Sequence, residues 1–302
     1  MEYIAITQFI TDDIIYENGE SYLDRMGGVV YALAGMRYWS RSIGVYCKAG
    51  DDFDAVYGRW IADNGIDTEN VRRVSGMGPH TRCIYSGSEE RQEVPVQGCR
   101  SIEEMMLSVD ELPEQPEDCK GIYVFLDSDA EYFRELKRWN VRNSKILWEI
   151  HGKAAAYENR ERVKECLKYV DILAINRVEG ERLTRETLPE KIVTELLTMG
   201  AKCVFFHRGS DEAYAADKDG CTVVSVYPIQ PVDVTGGGNS SSGGFLAGYC
   251  ESGFDTATAG RCANVSASMV LEYAGVPDMI DAEAEREAAR RAAELKTRIV
   301  KL

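Results

Sequence analysis

The sequence predicts an α/β fold, with a mostly parallel central sheet covered by helices on both faces. Two features carry that prediction. Short apolar runs alternate with amphipathic, charge-rich segments through the second half of the chain, and a glycine-rich turn opens a small-residue helical stretch beyond them. Such alternation is the pattern of parallel strands joined by crossover helices.

Taken in order, EYIAITQFI reads as a first buried strand, and TDDIIYENGESYLD follows with Asn18-Gly19 as a hairpin turn. GGVVYALAGMRYWS is a glycine pair entering a helix. SIGVYCKAG is a second buried strand, and DDFDAVYGRWIADNG a helix closed by a glycine. From about 70 to 98 short polar and apolar runs alternate without helical period, as in a small extra sheet. GIYVFL (121–126), KILWEI (145–150), VDILAIN (170–176), AKCVFFH (201–207) and TVVSVYP (222–228) read as strands. EYFRELKRW, ENRERVKECLKY and PEKIVTELLTMG are the helices between most of them, and DAEAEREAARRAAELKTRIV reads as a terminal surface helix. The expectation is a single domain over 1–302, with lid strands from about 12–26 and 76–98.

Composition mainly excludes. A formal charge of −15 argues against nucleic acid and anionic membrane surfaces as partners, since both need a basic footprint. No apolar run approaches the roughly 20 residues that span a bilayer. The 9 cysteines include no C-x-x-C pair and several sit in apolar runs, which predicts reduced thiols in a cytoplasmic protein. The 3 histidines, His80, His151 and His207, show no zinc-ligand spacing.

The segment richest in chemistry is VDVTGGGNSSSGGF, from Val232 to Phe245. A glycine turn entering a helix lets backbone amides approach one anion, assisted by the helix dipole. With its strand before and small-residue helix after, this stretch resembles the D-T-T-G-A-G-D signature of the ribokinase/PfkB family of sugar and nucleoside kinases. Asp233, Thr235, Gly236 and Gly238 match, Gly237 stands at the alanine, and Asn239 replaces the final aspartate. Gly27 and Gly28 resemble the family's N-terminal glycine pair, FITDDI its strand end with Asp12, KAGDDFDAVYG its G-x-D-x-x-G segment, and NRVE its N-x-x-E motif. The stretches GGVVYALAG and GGGN look closer to a divergent branch with fungal members than to ribokinase proper.

The resemblance implies a ribokinase-like three-layer α/β/α domain with a small β lid, ATP and Mg²⁺ as cofactors if the protein is a kinase and none otherwise, and a homodimer formed through the lid. It implies an anion hole at Gly236, Gly237 and Gly238, with Asn239 at the base position. Asp12, Gly27 and Gly28 fall on the substrate side, and Asn176 and Glu179 in the metal and phosphate network. Arg208, Gly209, Asp233 and Asn264 fall on the nucleotide side. Two further acids come from the residues themselves: Asp13 beside Asp12, and Glu149 at a strand end where open α/β sheets bind ligands.

Departures from the family pattern cluster on the nucleotide side. HRGSDE stands for T-x-G-x-x-G, so His207 replaces the threonine and Glu212 the last glycine, with Arg208 available to compensate the new charge. Ala32 stands where the family has an asparagine. An amide at 239 takes no proton at neutral pH, which costs a general base about 10²–10⁴-fold in rate. Three readings stay open: a kinase acting on a sugar or nucleoside hydroxyl, a nucleoside or glycoside hydrolase on the same scaffold, and a pseudokinase that binds without turnover.

Overall fold

The structure is a computed structural model that describes residues 1–86 and 91–302. In chain order its first elements are β1 (Tyr3–Ile6), β2 (Phe9–Tyr16), β3 (Ser21–Gly28), α1 (Val29–Arg37), β4 (Ile43–Ala49), α2 (Phe53–Val56) and α3 (Gly58–Asn64). Next come β5 (Val71–Arg73), β6 (His80–Tyr85), β7 (Arg91–Pro95), β8 (Gly121–Leu126), α4 (Ala130–Trp139), β9 (Lys145–Ile150) and α5 (Arg160–Leu167). They are followed by β10 (Ile172–Asn176), α6 (Arg177–Thr184), α7 (Pro189–Thr198), β11 (Cys203–Arg208), β12 (Asp211–Asp217) and β13 (Gly220–Val224). The chain closes with α8 (Gly237–Glu251), α9 (Thr256–Leu271), α10 (Ala282–Glu294) and β14 (Thr297–Val300).

A 10-stranded sheet runs in the order β14-β13-β12-β11-β10-β9-β8-β1-β4-β5. From β5 to β11 neighbouring strands are parallel, and β11 to β14 pair antiparallel. The period of two along each strand splits the core into two layers. Tyr3, Ala5, Tyr123, Leu147, Ala174 and Phe205 face α1, α8 and α9. Ile4, Ile6, Val124, Trp148, Ile175 and Phe206 face the α4–α7 side. The three-layer expectation holds, and so do the strands expected from 121 to 207.

A 4-stranded sheet, β3-β2-β6-β7, lies apart from the main one. It starts earlier than the expected lid, because Phe9 and Ile10 belong to β2 rather than to the first strand. The expected lid segment 76–98 contains 87–90, which lie outside the described residues. Between Asp12 and Ile14 the β2–β3 register shifts, so the two acids at 12 and 13 meet different neighbours.

Two further expectations need correcting. The terminal helix stops at Glu294, and Thr297–Val300 instead pairs with β13 as an edge strand. TRIV has the β-branched residues of a strand, and the Ala/Glu/Arg run ahead of it masked the change of period. The strand expected at 222–228 is β13 and ends at Val224, while β12, which was not among the expected strands, makes a hairpin with β11.

Candidate active site

The glycine loop leads into α8, whose position is set by close helix contacts. α1 crosses α8 where Gly35 meets the Ser240 backbone, so close that a methyl group at 35 would lie 2.0 Å from the Ser240 carbonyl oxygen. Gly236 caps α8 at φ 80° and ψ −1°, a left-handed conformation suited to glycine. A side chain there would also strike the Tyr31 ring at 2.1 Å. Asp233 organises the loop ahead of the cap. Its Oδ1 accepts the Thr235 amide at 2.9 Å, and its Oδ2 accepts the Gly275 amide at 3.2 Å. The first-turn amides of α8, at 237–239, have no acceptor within the helix, and the positive end of the helix dipole lies with them.

Glu149, Asn176 and His207 close β9, β10 and β11 at their carboxyl ends. By strand parity all three share the α8 face with Tyr123. Ala174, between Glu149 and Phe205 in the register, is small enough for Glu149 and His207 to meet across β10. His207 Nε2 lies 3.5 Å from Glu149 Oε1. Glu149 is only 5% exposed, and neither its Oε2 nor His207 Nε2 has a hydrogen-bond partner among the described residues. Both groups press on the glycine loop: a methyl group on Gly238 would lie 2.9 Å from His207 Cε1 and 3.8 Å from Glu149 Oε1.

Asn239, in the same turn, donates its Nδ2 to Tyr123 Oη at 2.9 Å. Burial drives the Tyr123 hydroxyl pKa well above its ordinary value and the Glu149 charge adds to it, with the Asn239 bond acting in the opposite sense. Tyr123 was not singled out from the sequence. Its signal was present, though, since in GIYVFL it is the polar-tipped side chain on the alternation that faces α8.

The expected nucleotide-side residues divide. Asn176 and Glu179 form a capping box at the start of α6: Asn176 Oδ1 accepts the Glu179 amide at 2.9 Å, and Glu179 Oε2 accepts the Asn176 amide at 3.0 Å. Arg208 reaches Asp211 at 3.2 Å. The guanidinium that compensates Glu212 is Arg298 of β14, at 2.6 Å, so Arg208 does not have that role. Arg298 carries no signal of its own in the sequence, because the strand that holds it, 297–300, reads there as the end of a helix. Gly209 makes the β11–β12 turn at φ 62°. Asn264 donates to the carbonyls of Val224 and Ser225, at 3.3 and 3.0 Å, and ties α9 to the end of β13.

On the small sheet Asp12 packs against Gly27, where a methyl group would come within 1.9 Å of its Oδ2. Gly28 turns β3 into α1 at φ 60°. Asp13 is held by the Asp24 amide at 3.1 Å, His80 at 3.0 Å and Arg82 at 3.7 Å. Burial alone would raise the Asp13 pKa, but these contacts outweigh it and leave the carboxyl below its ordinary value. The far end of the small sheet touches the glycine loop. Tyr16 and Tyr85 stack at 5.2 Å; Tyr16 Oη donates to Asp233 at 2.8 Å, and Tyr85 shares a 2.9 Å hydrogen bond with Thr235. Burial, then the Asp233 bond, raises the Tyr16 pKa.

Among the described residues no helix is long and apolar enough to cross a membrane. Residues 28–283 match the pfkB family of carbohydrate kinases. A cytidine kinase of Thermococcus kodakarensis is 23% identical over 254 residues, which cover 82% of this chain and 88% of that protein. The adenosine kinase of Sinorhizobium meliloti superposes with a TM-score of 0.78 at 18% identity, over 96% of this chain and 99% of its own. A Ribokinase II candidate of Escherichia coli, solved in complex with ATP and Mg²⁺, gives 0.75 at 17% identity, over 97% and 99%. With most of its length matched, this chain belongs to the pfkB family of carbohydrate kinases.

Proposed function

We propose that the protein transfers the γ-phosphoryl group of Mg²⁺-bound ATP to a hydroxyl of a small nucleoside. The observation that carries this reading is the start of α8: a left-handed Gly236, then glycine amides at a helix N-terminus, set at the carboxyl edge of parallel strands. Such an edge with such a loop suits polyphosphate, because the amides and dipole favour negative charge and glycine allows close approach. The protein's residues therefore fit the nucleotide. Mg²⁺, chelated by the phosphates, would neutralise charge on them during transfer.

The chain's own contributions are positional. Gly236–Gly238 hold the transferring group, and Asp233 keeps their loop in shape. Asp12, against Gly27, offers a carboxylate to substrate hydroxyls, and the small sheet covers the site and excludes water. Preference for a nucleoside over a plain sugar rests on the cytidine and adenosine kinases among its relatives. Binding without turnover is the second reading, favoured by the amide at Asn239.

Calorimetry with Mg·ATP, run beside a product assay on cytidine, adenosine, ribose and fructose, tests the proposal. Nucleotide binding with a nucleoside monophosphate as product is the expected result. Nucleotide binding with no phosphorylated product would favour the second reading, and absence of both would reject the two together.

A further inference from the structure

We propose that Glu149, braced by His207, accepts the proton of the attacking hydroxyl, the work that Asn239 cannot do. The inference rests on the kinase reading above. Three observations on this chain lead to it. Glu149 Oε2 is buried and has no hydrogen-bond partner among the described residues, although an unsatisfied buried acceptor is costly. That carboxylate lies beside Gly238, one residue from Asn239, at the end of α8 where a phosphoryl group would sit. Asn239 itself spends its Nδ2 on Tyr123.

In the step, the acceptor hydroxyl oxygen bonds to the γ-phosphorus of ATP. The bond from that phosphorus to the bridging oxygen breaks, and its electron pair leaves with ADP. The hydroxyl proton passes to Glu149, which ends the step as the neutral acid and later returns the proton to water. His207, 3.5 Å from the other carboxylate oxygen, fixes the direction of the group and is a positioning residue.

The experiment measures kcat and KM for cytidine and adenosine, with calorimetric binding of Mg·ATP, in the wild type, Glu149→Gln, Glu149→Asp and the double variant Glu149→Gln with Asn239→Asp. Loss of a general base predicts a fall in kcat of about 10²–10⁴-fold in Glu149→Gln with Mg·ATP binding retained. Glu149→Asp should recover part of that loss. The double variant should recover more, because a carboxylate returns at the neighbouring position, and a merely misfolded protein would gain nothing from it. A Glu149→Gln enzyme within about threefold of the wild type overturns the assignment and leaves the kinase reading intact. Parallel loss of kcat and nucleotide binding without rescue also overturns it, as a structural role. A wild type that neither binds Mg·ATP nor makes product overturns the kinase reading itself.

Discussion

Tyr16 donates to Asp233 at 2.8 Å across 217 positions of sequence, and so joins the tip of the small sheet to the glycine loop that leads into α8. Tyr85 and Thr235 share a second hydrogen bond there, at 2.9 Å. Replacing both with phenylalanine keeps the stacked rings and removes the hydroxyls. Each lost bond should cost about 1 kcal/mol of closure. Amide exchange in β2 and β6 should then rise while exchange in β8–β10 stays unchanged. Equal protection in wild type and variant would mean that the contacts do not hold the sheet down.

Gly236→Ala should fail for two additive reasons. The left-handed backbone disfavours any Cβ, and the added methyl meets the Tyr31 ring. A loss of about 3 kcal/mol is expected, from backbone strain together with overpacking. Urea unfolding reads it directly, and a loss below about 1 kcal/mol would show that the loop adapts.

Gly27→Ala acts on the opposite wall. Its methyl group would displace the Asp12 carboxylate and leave α8 untouched. KM for the nucleoside should rise at least about tenfold, as when a charged hydrogen bond is lost, with Mg·ATP affinity unchanged. A matching loss of nucleotide affinity would place Asp12 elsewhere in the mechanism than the substrate side.

Glu285 links α10 to the region around α1. Arg41 first, then Arg37, hold its carboxyl at a pKa of about 2, against an ordinary 4.5. Because the folded value is the lower one, the pair stabilises the protein above about pH 4.5, and this contribution disappears as the pH falls toward 2. Glu285→Gln should therefore be less stable than the wild type at pH 7, with the gap closing through that acid window. A gap that persists unchanged at low pH would assign the effect to packing.

The parallel core was legible because buried strands such as VDILAIN and AKCVFFH announce themselves by length and by β-branched or aromatic content. The edge was not: TRIV follows a helix of uniform composition, and four residues carry too little period to be separated from it. At the site, sequence pointed to Glu149 and to the His207 substitution as isolated facts. Their meeting depends on Ala174, a small residue on the strand between them, and no spacing rule joins positions 149 and 207. Asn264 and the Asn176–Glu179 pair illustrate the converse case. Their residue types suit ligand binding, and a strand end and a helix cap account for the hydrogen bonds described for them equally well.

The small sheet has little slack at its root. Only Thr7 and Gln8 separate β1 from β2, Gly28 runs straight into α1, and the Val29 amide donates to the Gln8 carbonyl at 2.9 Å. Gln8 and Gly28 therefore act as a fulcrum, and β2, 8 residues long, as a lever of roughly 25 Å. A tilt of about 2° at the fulcrum moves the tip by about 0.9 Å, enough to carry the Tyr16 contact past hydrogen-bonding range. Asp12 and Gly27 lie nearer the fulcrum and ride on paired strands, so they travel together. A tilt of that size would part the tyrosine end from the glycine loop and leave the Asp12–Gly27 contact intact.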